Sequence, residues 1–218
     1  MARYRNRNRQ KDREFLAAAT VGNIPKSSLL VQAGADVNWK DEEGLTPIMA
    51  AANSSQGATV KKLLGLGANP DLSEIHGMTS LMFAASRGDI EIATILLDGG
   101  ANVNAQFMDA LPPLCGQTAL MFASKNGYLD VVRLLLYRNA DVGKADARGE
   151  DALMKAATFG DLEVVRLLVD SGANVQAESI GGKKAWQLAE ELGHVRIVEF
   201  LRKAEVDLLV RINSVTSR

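Results

Sequence analysis

A thiol, a pair of imidazoles and recurring carboxylates are the groups in this 218-residue chain that could do chemistry. Cys115 would need a base beside it to act as a nucleophile, and the two histidines, His76 and His194, are its only imidazole candidates. A zinc site needs clustered Cys and His, and one cysteine with two scattered histidines does not supply the spacing. The sequence has neither the Gly-x-x-x-x-Gly-Lys-Ser/Thr loop that cradles phosphate nor the Gly-x-Ser-x-Gly turn that exposes a nucleophilic serine. Glu91, Asp130 and Glu163 recur at expected helix starts, where a carboxylate is favoured by the helix dipole and needs no catalytic partner to explain it. The expectation is therefore no catalytic residue, no metal and no cofactor, with a Cys115 nucleophile kept as an alternative.

The elements that carry these residues repeat. Gly44, Gly77, Gly116, Gly149 and Gly182 open similar segments at intervals of 33, 39, 33 and 33 residues. Gly88, Gly127, Gly160 and Gly193 each follow an opening glycine by 11 residues. A third landmark closes the unit: Gly34-Ala35-Asp36, Gly67-Ala68-Asn69, Gly100-Ala101-Asn102, Ala140-Asp141 and Gly172-Ala173-Asn174. Thr46-Pro47, Thr79 and Thr118 are helix-start signals, since Thr caps free N–H groups and Pro fits the first turn. An Ala-rich helix follows, then a glycine stop, then a second helix with an aliphatic stripe such as Val131, Leu134, Leu135. Helices this short are unstable alone, so the units must stack and bury a shared core.

Gly44-Leu45-Thr46-Pro47-Ile48-Met49-Ala50-Ala51-Ala52, Gly77-Met78-Thr79-Ser80-Leu81-Met82-Phe83-Ala84-Ala85 and Gly127-Tyr128-Leu129-Asp130-Val131-Val132-Arg133-Leu134-Leu135-Leu136 closely resemble the ankyrin repeat. The resemblance spans roughly residues 11–205. It implies an all-α solenoid of about six helix-turn-helix units joined by hairpin-like loops. The units fall near 13–43, 44–76, 77–115, 116–148, 149–181 and 182–205, between a basic flexible tail (1–12) and a C-terminal extension (206–218). Where the family carries His after Thr-Pro-Leu, this chain has Met49, Met82, Met121 and Met154, and Gln187 in the last unit. Methionine there is expected to fill core space. The second unit is expected to be the weakest, with Ser55 at the helix-ending glycine position and Gly57 and Lys62 at positions aliphatic elsewhere.

By the same resemblance, the function is protein–protein interaction, as a scaffold, adaptor or inhibitor, through a concave groove and the loop tips. Expected tip and groove residues are Ile75, His76, Arg87, Lys125, Asn126, Arg148 and Phe159. The 39-residue interval adds six residues between Asn104 and Gly116, and this insert is apolar rather than polar: Phe107, Met108, Leu111 and Leu114 are expected partner anchors.

The partner is expected to be another protein, with no membrane association, because no apolar run approaches the ~18 residues a span needs. Net charge is −1, which gives no general affinity for polyanions. The N-terminus differs: Arg3, Arg5, Arg7 and Arg9, with Lys11 and Arg13, face Asp12 alone. Nucleic acid or an acidic partner at this stretch is the remaining alternative. One cysteine forms no internal disulfide, so a reducing, cytoplasmic setting is expected.

Overall fold

The helix starts show why this sequence folds into pairs. In the computed structural model, Thr46, Thr79 and Thr118 accept bonds through Oγ1 from the backbone N–H of Met49, Met82 and Met121, at 3.4, 3.4 and 3.3 Å. Asp151 does the same for Met154 at 2.8 Å. Each satisfies a donor that the first helical turn leaves free. The structure describes residues 2–107 and 115–216, and side chains for 9–107 and 115–210.

First helices of the pairs are α1 (Ala2–Thr20), α3 (Pro47–Asn53), α5 (Ser80–Arg87), α7 (Ala119–Lys125), α9 (Ala152–Phe159) and α11 (Ala185–Glu191). Second helices are α2 (Ile24–Gln32), α4 (Gly57–Gly65), α6 (Ile90–Asp98), α8 (Leu129–Tyr137), α10 (Leu162–Asp170) and α12 (Val195–Thr216). Numbered in chain order these are α1 to α12, and no strand occurs among the described residues. No helix among them is long and apolar enough to cross a membrane.

The chain divides into two compact units, Met1–Ala110 and Leu111–Arg218, and the boundary falls inside the six-residue insert. In the first unit α3 packs between α1 and α5, and α4 packs against α6. In the second, α9 packs between α7 and α11, and α10 contacts both α8 and α12. Alanines on the first helices (Ala51, Ala84, Ala85, Ala123, Ala156) are fully buried and let neighbouring helices approach closely. Val60, Leu63, Ile92, Leu96, Val131, Leu135, Val164 and Leu168 supply the aliphatic core from the second helices. Met49, Met82, Met121 and Met154 are buried with them.

The helix-ending glycines also make room for the next repeat. A Cβ on Gly160 would sit 2.5 Å from His194 Cε1, and one on Gly127 would sit 2.6 Å from Asp161 Oδ2. Ser55 takes the same left-handed backbone, with φ of 54°, and Asn139 stands at a closing-glycine position with φ of 62°.

Three sequence expectations change here. Residues 2–12, expected as a flexible tail, are the opening part of helix α1, held in place by Asp12, which accepts from Asp36 N at 3.0 Å. Gly57 is the first residue of α4 rather than an interior one, and Lys62 is exposed, so the helix-interior and core positions supposed for them are not the ones they occupy. Phe107 is 4% exposed, a core residue rather than a displayed anchor. The other expected anchors of the insert, Met108, Leu111 and Leu114, lie outside the described residues.

Candidate partner-binding faces

The loop tips are rigid because each is tied by its own side chain and by its neighbour's backbone. In the first unit Asp41 accepts from the N–H groups of Glu43 and Leu45 at 3.0 and 2.8 Å. Glu74 accepts from those of His76 and Met78, both at 2.9 Å. Ile75 N then donates to Glu43 O at 2.9 Å, joining the two tips. This presents Ile75 and His76 to solvent, with Ile75 60% exposed. Arg87, the last residue of α5, is exposed on the same unit.

The second unit repeats the device. Asp146 accepts from Arg148 N and Glu150 N at 2.9 and 3.0 Å. Ala147 N donates to Cys115 O at 2.7 Å, and Ile180 N to Arg148 O at 2.8 Å. The glycine opening the segment is required by this closeness: a Cβ on Gly149 would lie 2.9 Å from Ile180 N. Arg148 and Ile180 are exposed at the tips, Ile180 to 79%.

On the same unit the ends of the first helices form a row. Lys125 closes α7 and Asn126 caps it, Phe159 closes α9, and Leu192 caps α11. Phe159 is 54% and Leu192 56% exposed. Lys125 Nζ lies 5.1 Å from the centre of the Phe159 ring, a cation–π contact that joins two of the residues singled out in the sequence. Ile75, His76 and Arg87 belong to the first unit, and Lys125, Asn126, Arg148 and Phe159 to the second.

One charged group in α9 was not singled out in the sequence. Lys155 is buried, 2.6 Å from Asp146 and in contact with Glu150. It thereby neutralises the carboxylate that shapes the Arg148 tip. Its signal was present: residues 33 before and after it are Phe122 and Leu188, so a lysine breaks an apolar column. Asp151 beside it is pushed up to about 6, first by burial, against which its bonds from Met154 and Leu153 N–H and the Lys155 charge act, while Asp146 adds to the rise.

The candidate chemistry is engaged otherwise. His194 Nε2 sits 3.1 Å from Thr158 O, and its ring packs on Gly160. Cys115 is a half-buried free thiol. Among the described residues no group of three or more His, Cys, Asp or Glu is placed to hold a metal.

The family model for ankyrin repeats (3 copies) matches residues 15–107, 56–146, 104–179 and 120–212, overlapping stretches that span most of the chain. The chain belongs to the ankyrin-repeat family. Its ankyrin repeats are 34% identical over 94 residues to the ankyrin repeat and KH domain-containing protein mask-1 of Caenorhabditis elegans, covering 43% of this chain and 4% of that protein. They are 41% identical over 64 residues to the mitochondrial disaggregase of Homo sapiens, covering 29% of this chain and 9% of that protein. The chain thus spans only a small part of these curated relatives. Among solved structures, it is similar to a chain in the complex of a predatory endopeptidase from Bdellovibrio bacteriovorus with an immunity protein. That likeness has a TM-score of 0.77 at 30% identity, covering 87% of this chain and 96% of that one. Ankyrin repeats generally mediate protein–protein interaction, so the tips and helix-end rows above are where a partner is to be sought.

Proposed function

We propose that this chain is a non-catalytic binding module that acts as a protein inhibitor, holding a peptidase through loop tips and the exposed ends of its first helices. The observation that carries this reading is the likeness over nearly the whole of both chains to a component of an endopeptidase–immunity protein complex. The preformed tips support it. Tips already tied by their own hydrogen bonds lose little freedom on binding, and each unit offers exposed apolar area of its own: Ile75 in the first, and Ile180, Phe159 and Leu192 in the second. A single unbridged thiol suits a reducing compartment.

The test is to purify the chain from its source cells with whatever it holds and to assay peptide hydrolysis before and after stripping the chain away. A stoichiometric partner whose peptidase activity rises on removal supports the inhibitor reading. A partner equally active in both states makes the chain a scaffold or adaptor instead. Hydrolysis by the purified chain itself, lost in Cys115→Ser, would establish the enzyme alternative.

A further inference from the structure

The bonds that stitch one closing loop to the next are present in the first unit and missing from the second. In the first unit Asp12 accepts from Asp36 N at 3.0 Å, Asn38 from Asn69 N at 2.8 Å and Asp71 from Asn102 N at 2.7 Å. Each of these bonds runs from one repeat to the next. The 39- and 33-residue intervals carry the acceptor position on from Asp71 through Asn104 to Gly143. Gly143 N donates to Asp141 Oδ1 at 2.9 Å, as Asn38 N does to Asp36 and Asp71 N to Asn69, both also at 2.9 Å. The backbone turn is therefore the same, and only the side-chain acceptor is absent. No hydrogen bond joins residues 138–144 to residues 171–176 among the described residues. Asn174, whose N–H that acceptor would take, is exposed, and water is the alternative partner of such a group. A groove of about 600 Å³ opens here, lined by Tyr137, Asp141, Val142, Leu167 and Ser171.

The tips of the second unit are stitched nonetheless. Ala147 N donates to Cys115 O at 2.7 Å and Ile180 N to Arg148 O at 2.8 Å. Neighbouring repeats of this unit are thus tied where the tips lead into the first helices, and untied where the second helices lead out. A few residues at the end of an element, often small ones, are enough to absorb a hinge rotation. The first unit is tied on both sides, since Ile75 N also bonds to Glu43 O and Lys40 Nζ to Ser73 O.

We propose that the second unit hinges between the pair α7–α8 and the pair α9–α10. The ends of α8 and α10 part and close about the stitched tips, and the missing acceptor at Gly143 permits it. The first unit keeps one shape. A partner gripping the second unit then meets an adjustable curvature; that consequence rests on the binding-module reading, and the hinge does not.

The test measures distances between spin labels on the full chain in a Cys115→Ser background. One label pair sits at the ends of α8 and α10, Tyr137→Cys with Asp170→Cys. The matching pair in the first unit is Gly65→Cys with Asp98→Cys, each 72 residues earlier in the sequence. All four positions are exposed. The distance distribution of the second-unit pair is expected to be at least twice as wide. Gly143→Asn should narrow it to the first-unit width and slow exchange of the Asn174 amide. A Cβ on Gly143 meets nothing nearer than Asp141 Oδ1 at 3.5 Å, so the turn accepts the side chain. Gly143→Asp, the residue type at position 71, serves if exchange at Asn174 is not slowed. Gly143→Ala stiffens the backbone without supplying an acceptor and should leave the distribution wide. Equal widths for the two wild-type pairs overturn the proposal. So does a width that stays once the Asn174 bond has formed, or one that Gly143→Ala narrows as much as Gly143→Asn.

Discussion

Single residues set the local conditions. Lys155 was invisible as a feature while α9 was read only for its alanines, yet it is the group that makes Asp146 tolerable in the interior. Replacing it by Met leaves two carboxylates unmatched, and breaking a buried pair from one side typically costs about 3–5 kcal/mol. Urea unfolding of Lys155→Met should show a loss of that order, and a loss below about 1 kcal/mol would contradict the role given to it. Asp151 gives a pH dependence of definite sign. Its folded pKa of about 6 lies above the ordinary carboxylate value of 3.8, so the folded state binds its proton more readily than the unfolded chain does. Ionising it therefore weakens the fold, fully above about pH 6 and not at all below 3.8. Asp151→Asn keeps an acceptor for Met154 N and removes the titration. Its stability relative to wild type should rise between pH 4 and pH 7, and parallel profiles would dismiss the assignment. Ser55 offers a simpler check. Its φ of 54° suits glycine, and Ser55→Gly should stabilise the first unit by about 0.5–1 kcal/mol in the same assay.

Elements were the most legible level. Period, Thr starts and glycine stops in the sequence place the helix pairs of the central repeats, because short-range capping and core periodicity decide them together. The two ends depart from it: α12 runs on to Thr216 through the stretch expected as a separate extension (206–218), and the arginine-rich composition concealed the start of α1 at Ala2; propensity for arginine is good, and Asp12 fixes the helix through Asp36. The second repeat is expected to be the weakest, and Gly57 bears on that from the first position of α4 rather than from its interior. Its cap also differs from those of the third and fifth repeats: Gln56 gives α4 no side-chain bond, as Tyr128 gives α8 none, whereas Asp89 and Asp161 cap α6 and α10 at 3.1 and 2.9 Å. Gln56→Asp should add about 1 kcal/mol and raise amide-exchange protection in Val60–Leu64. Unchanged protection there would mean that the cap is not what limits α4. The exposed apolar positions were partly legible. Apolar identity marked Ile75 and Phe159 because the pattern expects polar residues there, and Leu192 needed the neighbouring repeat for its meaning. Phe107 misled because an apolar residue in a loop reads the same whether it faces solvent or the core.

At the scale of the whole molecule, the break at the insert gives two compact stacks, each with its own tied tips and its own exposed helix ends. The first presents acidic tips around Ile75; the second exposes Phe159 and Leu192 at the ends of adjacent first helices. The first was legible from the repeat alone, and the division was not, because an interval of 39 residues records extra chain without saying where packing stops. The central claim is that this molecule works by holding another protein on these surfaces. The most direct measurement is a calorimetric titration of the captured partner with the full chain and with Phe159→Asp/Leu192→Asp, at low and high ionic strength. The account predicts saturable binding by the wild type that persists at high salt, because apolar burial is not screened, and at least tenfold weaker binding by the folded variant. Binding that disappears at high salt and is the same for both proteins would contradict it.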